Sequence, residues 1–148
     1  LFPHLNVLLA DSLRKRVDFL NEVISQLELE NIKAVHGRAE ELGRNKEYRE
    51  NFDLCVSRAV AKVSVLSELC IPFVKLHGFF IPYKAGNSED EINEGLNAVK
   101  ILGGSLYDVN SIVIGNSDLS RTFPIIKKIK TTSLKYPRKA GTPSKDPL

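Results

Sequence analysis

Short apolar runs alternate with amphipathic stretches four times along this chain, and that alternation leaves few architectures open. A strand followed by a helix, repeated, buries both apolar faces when the helices pack on a mostly parallel sheet. The first run, Leu5 to Ala10, closes with Asp11-Ser12, residues that end a strand and cap a helix. Leu13, Val17, Leu20, Val23, Ile24 and Leu27 then share one helical face, with Arg14, Lys15, Asp18 and Glu22 off it. Asn31 breaks that segment, and Ile32 to His36 reads as a second strand. The polar stretch 37–51 holds a short helix, and Leu54 to Ser57 is a third strand. A helix follows from Val63 to Lys75, with Pro72 as its kink or end signal. His77-Gly78 makes a turn into a fourth strand, Phe79 to Lys84. Ser88 then caps a helix fronted by Glu89, Asp90 and Glu91. Its Ile92, Leu96, Val99 and Leu102 share a face, and Gly103-Gly104 stops it.

The remainder changes period. Leu106 to Ile114 and Arg121 to Ile129 are extended runs joined by Gly115-Asn116-Ser117-Asp118, which predicts an antiparallel hairpin. The expected fold is therefore an α/β sandwich, its mostly parallel sheet closed by an antiparallel terminal hairpin. Leu20, Ile24, Leu96 and Val99 are its expected buried contacts. With 148 residues one domain suffices, divided into a body (1–131) and a basic Pro- and Gly-containing tail (132–148) of the same domain.

Several function classes fall away. The apolar runs are broken by Lys, Glu or Pro well short of a bilayer span, and Leu1 to Ala10 has no signal-peptide form. Cys55 and Cys70 sit in apolar segments without metal-type spacing and read as buried thiols in a reducing cytoplasm. His4, His36 and His77 have no metal-like partners, and there is no Ser-His-Asp set, P-loop or G-x-G-x-x-G. No metal site and no membrane partner are expected, and the protein is read as a monomer. The net charge of +3 is unevenly spread. Residues 127–148 carry +6, from Lys127, Lys128, Lys130, Lys135, Arg138, Lys139 and Lys145 against Asp146, which leaves −3 for residues 1–126. A basic end suits an anionic partner; a solvated tail accounts for it equally well.

In an open α/β sheet, ligands bind outside the carboxyl ends of the strands. The first strand delivers Asp11, an acceptor for ribose hydroxyls or simply a helix cap. After the second comes Gly37-Arg38-Ala39-Glu40, where Glu40 suits the amine of a base, or is an ordinary surface acid opening a helix. The third ends in Ser57-Arg58-Ala59-Val60-Ala61, an Arg among small apolar residues that is costly to bury alone. The fourth ends in Lys84-Ala85-Gly86. A ribose-type acid, a base-type acid and a carboxylate-type Arg at successive strand ends suggest a nucleoside amino-acid cofactor. S-adenosylmethionine has those three handles.

The motif Asp11-Ser12-Leu13-x-Lys15-Arg16-x-x-Phe19-Leu20, then Arg38-Ala39-Glu40 and Ser57-Arg58-Ala59-Val60-Ala61, resembles the GidB/RsmG family. So do Leu66-Ser67-Glu68-Leu69-Cys70 and the closing Tyr136-Pro137-Arg138-Lys139-x-Gly141-Thr142-Pro143, so the likeness runs from end to end. The resemblance implies a Rossmann-like, cytoplasmic methyltransferase that uses S-adenosylmethionine to make 7-methylguanine in small-subunit (16S) ribosomal RNA. It implies that Ala39, Glu40 and Arg58 bind the cofactor, with Asp11, Ser12 and Leu13 lining the ribose side. The family also has a first strand with a Gly-rich loop, ahead of where this sequence opens. The chain is thus expected to be the carboxy-terminal two-thirds of a longer protein, lacking a strand that lies centrally between the first and third strands read above.

The partner expected is 16S ribosomal RNA or the small subunit, met by Lys135, Arg138 and Lys139. Guanine N7 carries a lone pair and no proton, so methyl transfer needs alignment and no general base. The third strand is not followed by an N-P-P-Y-type motif, and neither Cys is placed as a nucleophile. No catalytic acid, base or nucleophile is therefore nominated. Two further readings stay open: a Rossmann-like methyltransferase acting on a small molecule or protein, and a non-catalytic RNA-binding module.

Overall fold

Two parallel strand pairs form where the alternation places them, yet they do not join into one sheet. The computed structural model describes residues 2–58, 61–115 and 119–148. Ala59, Val60 and the expected turn residues Asn116 to Asp118 lie outside these. Strand β1 (Val7–Asp11) pairs in parallel with β2 (Ile32–His36) across helix α1 (Arg14–Gln26), bringing Asp11 opposite His36. Then follow α2 (Ala39–Leu42), β3 (Phe52–Ser57), α3 (Val63–Cys70), a 3-10 turn (Ile71–Phe73), β4 (Val74–Pro82), β5 (Lys84–Ala85) and α4 (Glu89–Ile101). The chain closes with β6 (Gly104–Val113), β7 (Ser120–Lys128) and α5 (Thr142–Lys145). Strand β3 lies parallel to β4, and β7 runs antiparallel to β4, β5 and β6, as the expected terminal hairpin requires.

Among the described residues, β1 and β3 each keep one edge unpaired. A shallow cavity of about 240 Å³ opens beside β1 and β2, reaching Phe52 of β3 and lined also by Val7, Leu8, Ile32 and Lys33.

The core lies under one face of the larger sheet. Leu66, Ile71, Val74, Phe80, Ala98, Val99, Leu102 and Ile126 form a single buried cluster contributed by α3, α4 and the sheet. Helices α3 and α4 approach so closely that a Cβ at Gly95 would lie 2.7 Å from Val63 Cγ1. Gly103, at φ +89°, turns the chain from α4 into β6, where any side chain would collide with the Lys130 carbonyl. The opposite face is bare: Leu54 is 51%, Val56 53% and Tyr107 66% exposed.

That bareness corrects part of the expected core. Val99 is buried, but Leu20, Ile24 and Leu96 are only half-buried, and Val17 is the one buried residue of α1. A two-stranded sheet is too narrow to cover the whole apolar stripe of α1, so Phe19 and Leu27 also stay exposed. Helix α3 ends at Cys70, not at Lys75. Pro72 carries no N–H to continue it, and the chain passes through the 3-10 turn into β4. The turn expected at His77-Gly78 is a bulge inside β4: register with β3 jumps from Phe52–Val74 to Leu54–Phe79, and His77 has φ +70°. No helix among the described residues is long and apolar enough to cross a membrane.

Candidate functional site

Parallel pairing of β1 and β2 sets the two loops at their carboxyl ends side by side. Asp11 Oδ1 accepts the Leu13 backbone N–H at 2.8 Å, and Oδ2 meets Arg16 at 3.2 Å. The Leu13 N–H and the Arg16 guanidinium hold the Asp11 carboxyl below its usual range, so it stands as an ionised acceptor. The Ser12 carbonyl lies 3.1 Å from His36 Nε2, and the Asp11 carbonyl accepts Gly37 N–H at 3.1 Å. These bonds join the Asp11-Ser12-Leu13 loop to the loop that opens α2, where Ala39 and Glu40 sit. Ser12 and Leu13 are exposed, Ala39 half-buried and Glu40 buried.

Glu40 has a partner from the far end of the chain. Its Oε1 accepts the Gly141 backbone N–H at 2.8 Å, while Oε2 makes no hydrogen bond among the described residues. Arg58, at the end of β3, is exposed and has no hydrogen-bond or ion-pair partner among the described residues. The burial cost foreseen for an unpaired Arg there does not arise. The structure thus brings Asp11, Ser12, Leu13, Ala39 and Glu40 together and leaves Arg58 at the end of a strand of the other sheet.

Ser57 and Ala61, near Arg58 in the chain, are held by residues whose role the sequence did not disclose. Tyr83 N–H donates to the Ser57 carbonyl at 2.8 Å. The buried Lys84 ammonium donates to the Ala61 carbonyl at 2.8 Å and pairs with Glu91 at 2.6 Å. Glu91 also accepts the Val63 N–H at 2.9 Å, supplying the cap that α3 lacks from its own residues.

The basic tail is docked, not solvated. Arg49 donates to the carbonyls of Thr132 at 2.7 Å and Tyr136 at 2.8 Å, and Arg44 to that of Pro137 at 2.8 Å. Glu50 accepts the Thr132 N–H at 2.7 Å and pairs with the buried Lys128 at 3.0 Å. Burial pushes the Lys128 ammonium below its usual pKa, and Glu50 opposes that shift. Glu68, 1% exposed, accepts both the backbone N–H of Arg138 at 2.7 Å and its guanidinium at 2.7 Å. Glu68 holds the Arg138 guanidinium above its usual pKa.

Of the three residues expected to meet RNA, Lys135 and Lys139 are exposed. Arg138 instead commits its guanidinium to Glu68 and Asp146. A signal for this existed: Glu68 lies among apolar residues of α3, and Lys128 falls on the inward phase of β7 with Thr122, Pro124 and Ile126.

The Cys70 thiol is not prepared for nucleophilic chemistry. Cys70 has its thiol pushed well above the usual range by the adjoining Cys55 and by burial. No group of three metal-ligating side chains occurs among the described residues.

Known proteins resemble this chain in sequence and in fold. The chain is 52% identical over 147 residues to the ribosomal RNA small subunit methyltransferase G of Lachnoclostridium phytofermentans, covering 99% of itself and 61% of that protein. To the protein of the same name from Bacillus subtilis it is 47% identical over 147 residues, covering 99% of itself and 62% of the relative. It therefore spans less than two thirds of the length of these curated relatives. Solved structures share the fold at low identity. The M. jannaschii TYW2 in complex with AdoMet has a TM-score of 0.63 at 15% identity, over 82% of this chain and 57% of that one. An rRNA methylase from Streptococcus thermophilus has a TM-score of 0.58 at 13% identity, over 87% of this chain and 78% of that one. The fold is thus that of Rossmann-like methyltransferases, and residues 1–122 match the family model described as "rRNA small subunit methyltransferase G": the chain belongs to the GidB family.

Proposed function

We propose that this chain forms the larger part of a cytoplasmic methyltransferase that transfers a methyl group from S-adenosylmethionine to guanine N7 in 16S ribosomal RNA. The observation that carries the reading is the coincidence of family membership with ligand-ready groups at the strand ends. An ionised Asp11, a half-engaged Glu40 and an unpaired Arg58 stand where that family's motifs fall. S-adenosylmethionine, when bound, supplies an electrophilic methyl group on a sulfonium.

The residues present fit such a ligand. Arg58, without a partner among the described residues, offers its cation to the carboxylate of the ligand's methionine part. Asp11 is placed to accept ribose hydroxyls, with Ser12 and Leu13 beside it, and the open oxygen of Glu40 faces the base, with Ala39 beside it. These side chains bind and orient; none has to take a proton, because guanine N7 has none to give. Substrate RNA is met by the exposed Lys135 and Lys139, while Arg138 contributes by holding the segment that bears them.

The test is to titrate full-length protein with S-adenosylmethionine by calorimetry and to assay 16S RNA, from cells lacking the gene, for 7-methylguanine before and after incubation. Saturable binding with appearance of 7-methylguanine is expected. Binding without methylation of any guanine N7 would sink the proposed substrate, and no binding would sink the whole reading.

A further inference from the structure

The docked tail brings Gly141 to Glu40, one of the proposed cofactor contacts. Its backbone is fixed by side chains from one stretch, residues 40–68: Arg44 and Arg49 take its carbonyls, and Glu50 and Glu68 take its N–H groups. The firmest of these ties is the Glu68–Arg138 pair, a doubly hydrogen-bonded guanidinium–carboxylate contact on a fully buried acid. Lys139 and Ala140 alone separate Arg138 from Gly141, and a turn bond from Thr142 N–H to the Lys139 carbonyl at 3.0 Å closes this stretch. The location of the Gly141 N–H is therefore set by Arg138, and that N–H holds Oε1 of Glu40.

We infer that Arg138 is a positioning residue for cofactor binding: by fixing Gly141 against Glu40, it aims the free oxygen of that carboxylate at the ligand. This rests on the proposed function, in which Glu40 meets the base of S-adenosylmethionine. A glutamate side chain loses considerable rotamer freedom when it binds. A carboxylate already held by one oxygen has given up much of that freedom beforehand, and binding is tighter for it. The coupling proposed runs through the bond between Gly141 N–H and Glu40.

Calorimetric titration of full-length protein with S-adenosylmethionine tests this in a cycle of wild type, Glu40→Ala, Arg138→Met and the double variant. Arg138→Met should weaken binding about tenfold in the wild-type background and add nothing once Glu40 is gone. Because Arg138→Met leaves Glu68 buried without a partner, the paired swap Glu68→Met with Arg138→Met is run beside it, with thermal unfolding as the check on folding. The swap should fold and show the same loss of affinity. Unchanged affinity in Arg138→Met or in the folded swap overturns the inference, as does a loss that adds in full to that of Glu40→Ala. If Glu40→Ala alone has no effect while wild type binds, the assignment of Glu40 has failed instead, and the inference falls with it.

Discussion

Glu40 and Arg58 are prepared for a ligand in opposite ways. One is buried and held by half its carboxylate; the other is exposed and has no partner among the described residues. Replacing either with Ala should lower the affinity of full-length protein for S-adenosylmethionine by about 1–3 kcal/mol, the range for hydrogen bonds to charged groups. Calorimetry showing two unchanged constants would remove both from the site. Asp11 carries a pH signature. Its carboxyl is held below the ordinary value of 3.8 by the Leu13 N–H and Arg16. The stability this gives is fully present above pH 3.8 and is lost as pH falls through the lower, folded-state value. Urea unfolding should therefore show wild type ahead of Asp11→Asn at pH 6, with the gap narrowing below pH ~3.8. An equal gap at pH 6 and at low pH would show that the charge on Asp11 does not matter.

Helix α1 shows what an element owes to its neighbours. Its apolar spacing is plain in the sequence, but burial depends on what lies beneath it, and only Val17 is deeply covered. Leu20→Asn should cost about 1–2 kcal/mol, since a half-buried leucine forfeits only part of its transfer energy. Arg14→Asn, on the exposed side, should stay within about 0.5 kcal/mol in chemical denaturation. Equal costs for the two would mean that α1 does not rest on this face.

The same distinction explains how much of the molecule was legible beforehand. Element type and order followed from local periodicity, as with Ile32–His36 and the Gly103 stop, because those signals sit within a few residues of the structure they specify. The strand-end positions of Asp11, Glu40 and Arg58 followed from the same order. What stayed hidden was long-range: Glu40 with Gly141, Glu68 with Arg138, Glu50 with Thr132. These pairs join residues some 70 to 101 positions apart, and periodicity says nothing across such separations. A charge count showed the tail to be basic but could not show that one of its cations was already paired.

Across the whole molecule, among the described residues, the bare sheet face and the unpaired edges of β1 and β3 leave apolar surface and backbone groups open. The isolated 148-residue chain should bind an apolar dye and associate as its concentration rises. A sharp monomer boundary in sedimentation velocity, with no dye fluorescence, would contradict this. RNA binding by full-length protein should depend on salt through the tail's exposed lysines. Neutralising Lys135 and Lys139 together should flatten the slope of log affinity against log salt by about 1.4–1.8 if each meets a phosphate. An unchanged slope would place the RNA elsewhere.

Strand β7 touches β4, β5 and β6, so whatever fixes its phase fixes the larger sheet. Its adjacent Lys127 and Lys128 have incompatible destinations. Lys127 lies 5.6 Å from the ring centre of Tyr107 and 6.0 Å from that of Phe79. Lys128 is enclosed beneath the sheet with Glu50, Thr132 and the Ile71 carbonyl. A slip of one residue would exchange the two faces. It would carry Lys127 into the interior and take Lys128 away from its acceptors, and every neighbouring strand would carry the mistake. The two lysines together therefore penalise a one-residue slip on both faces of the sheet at once.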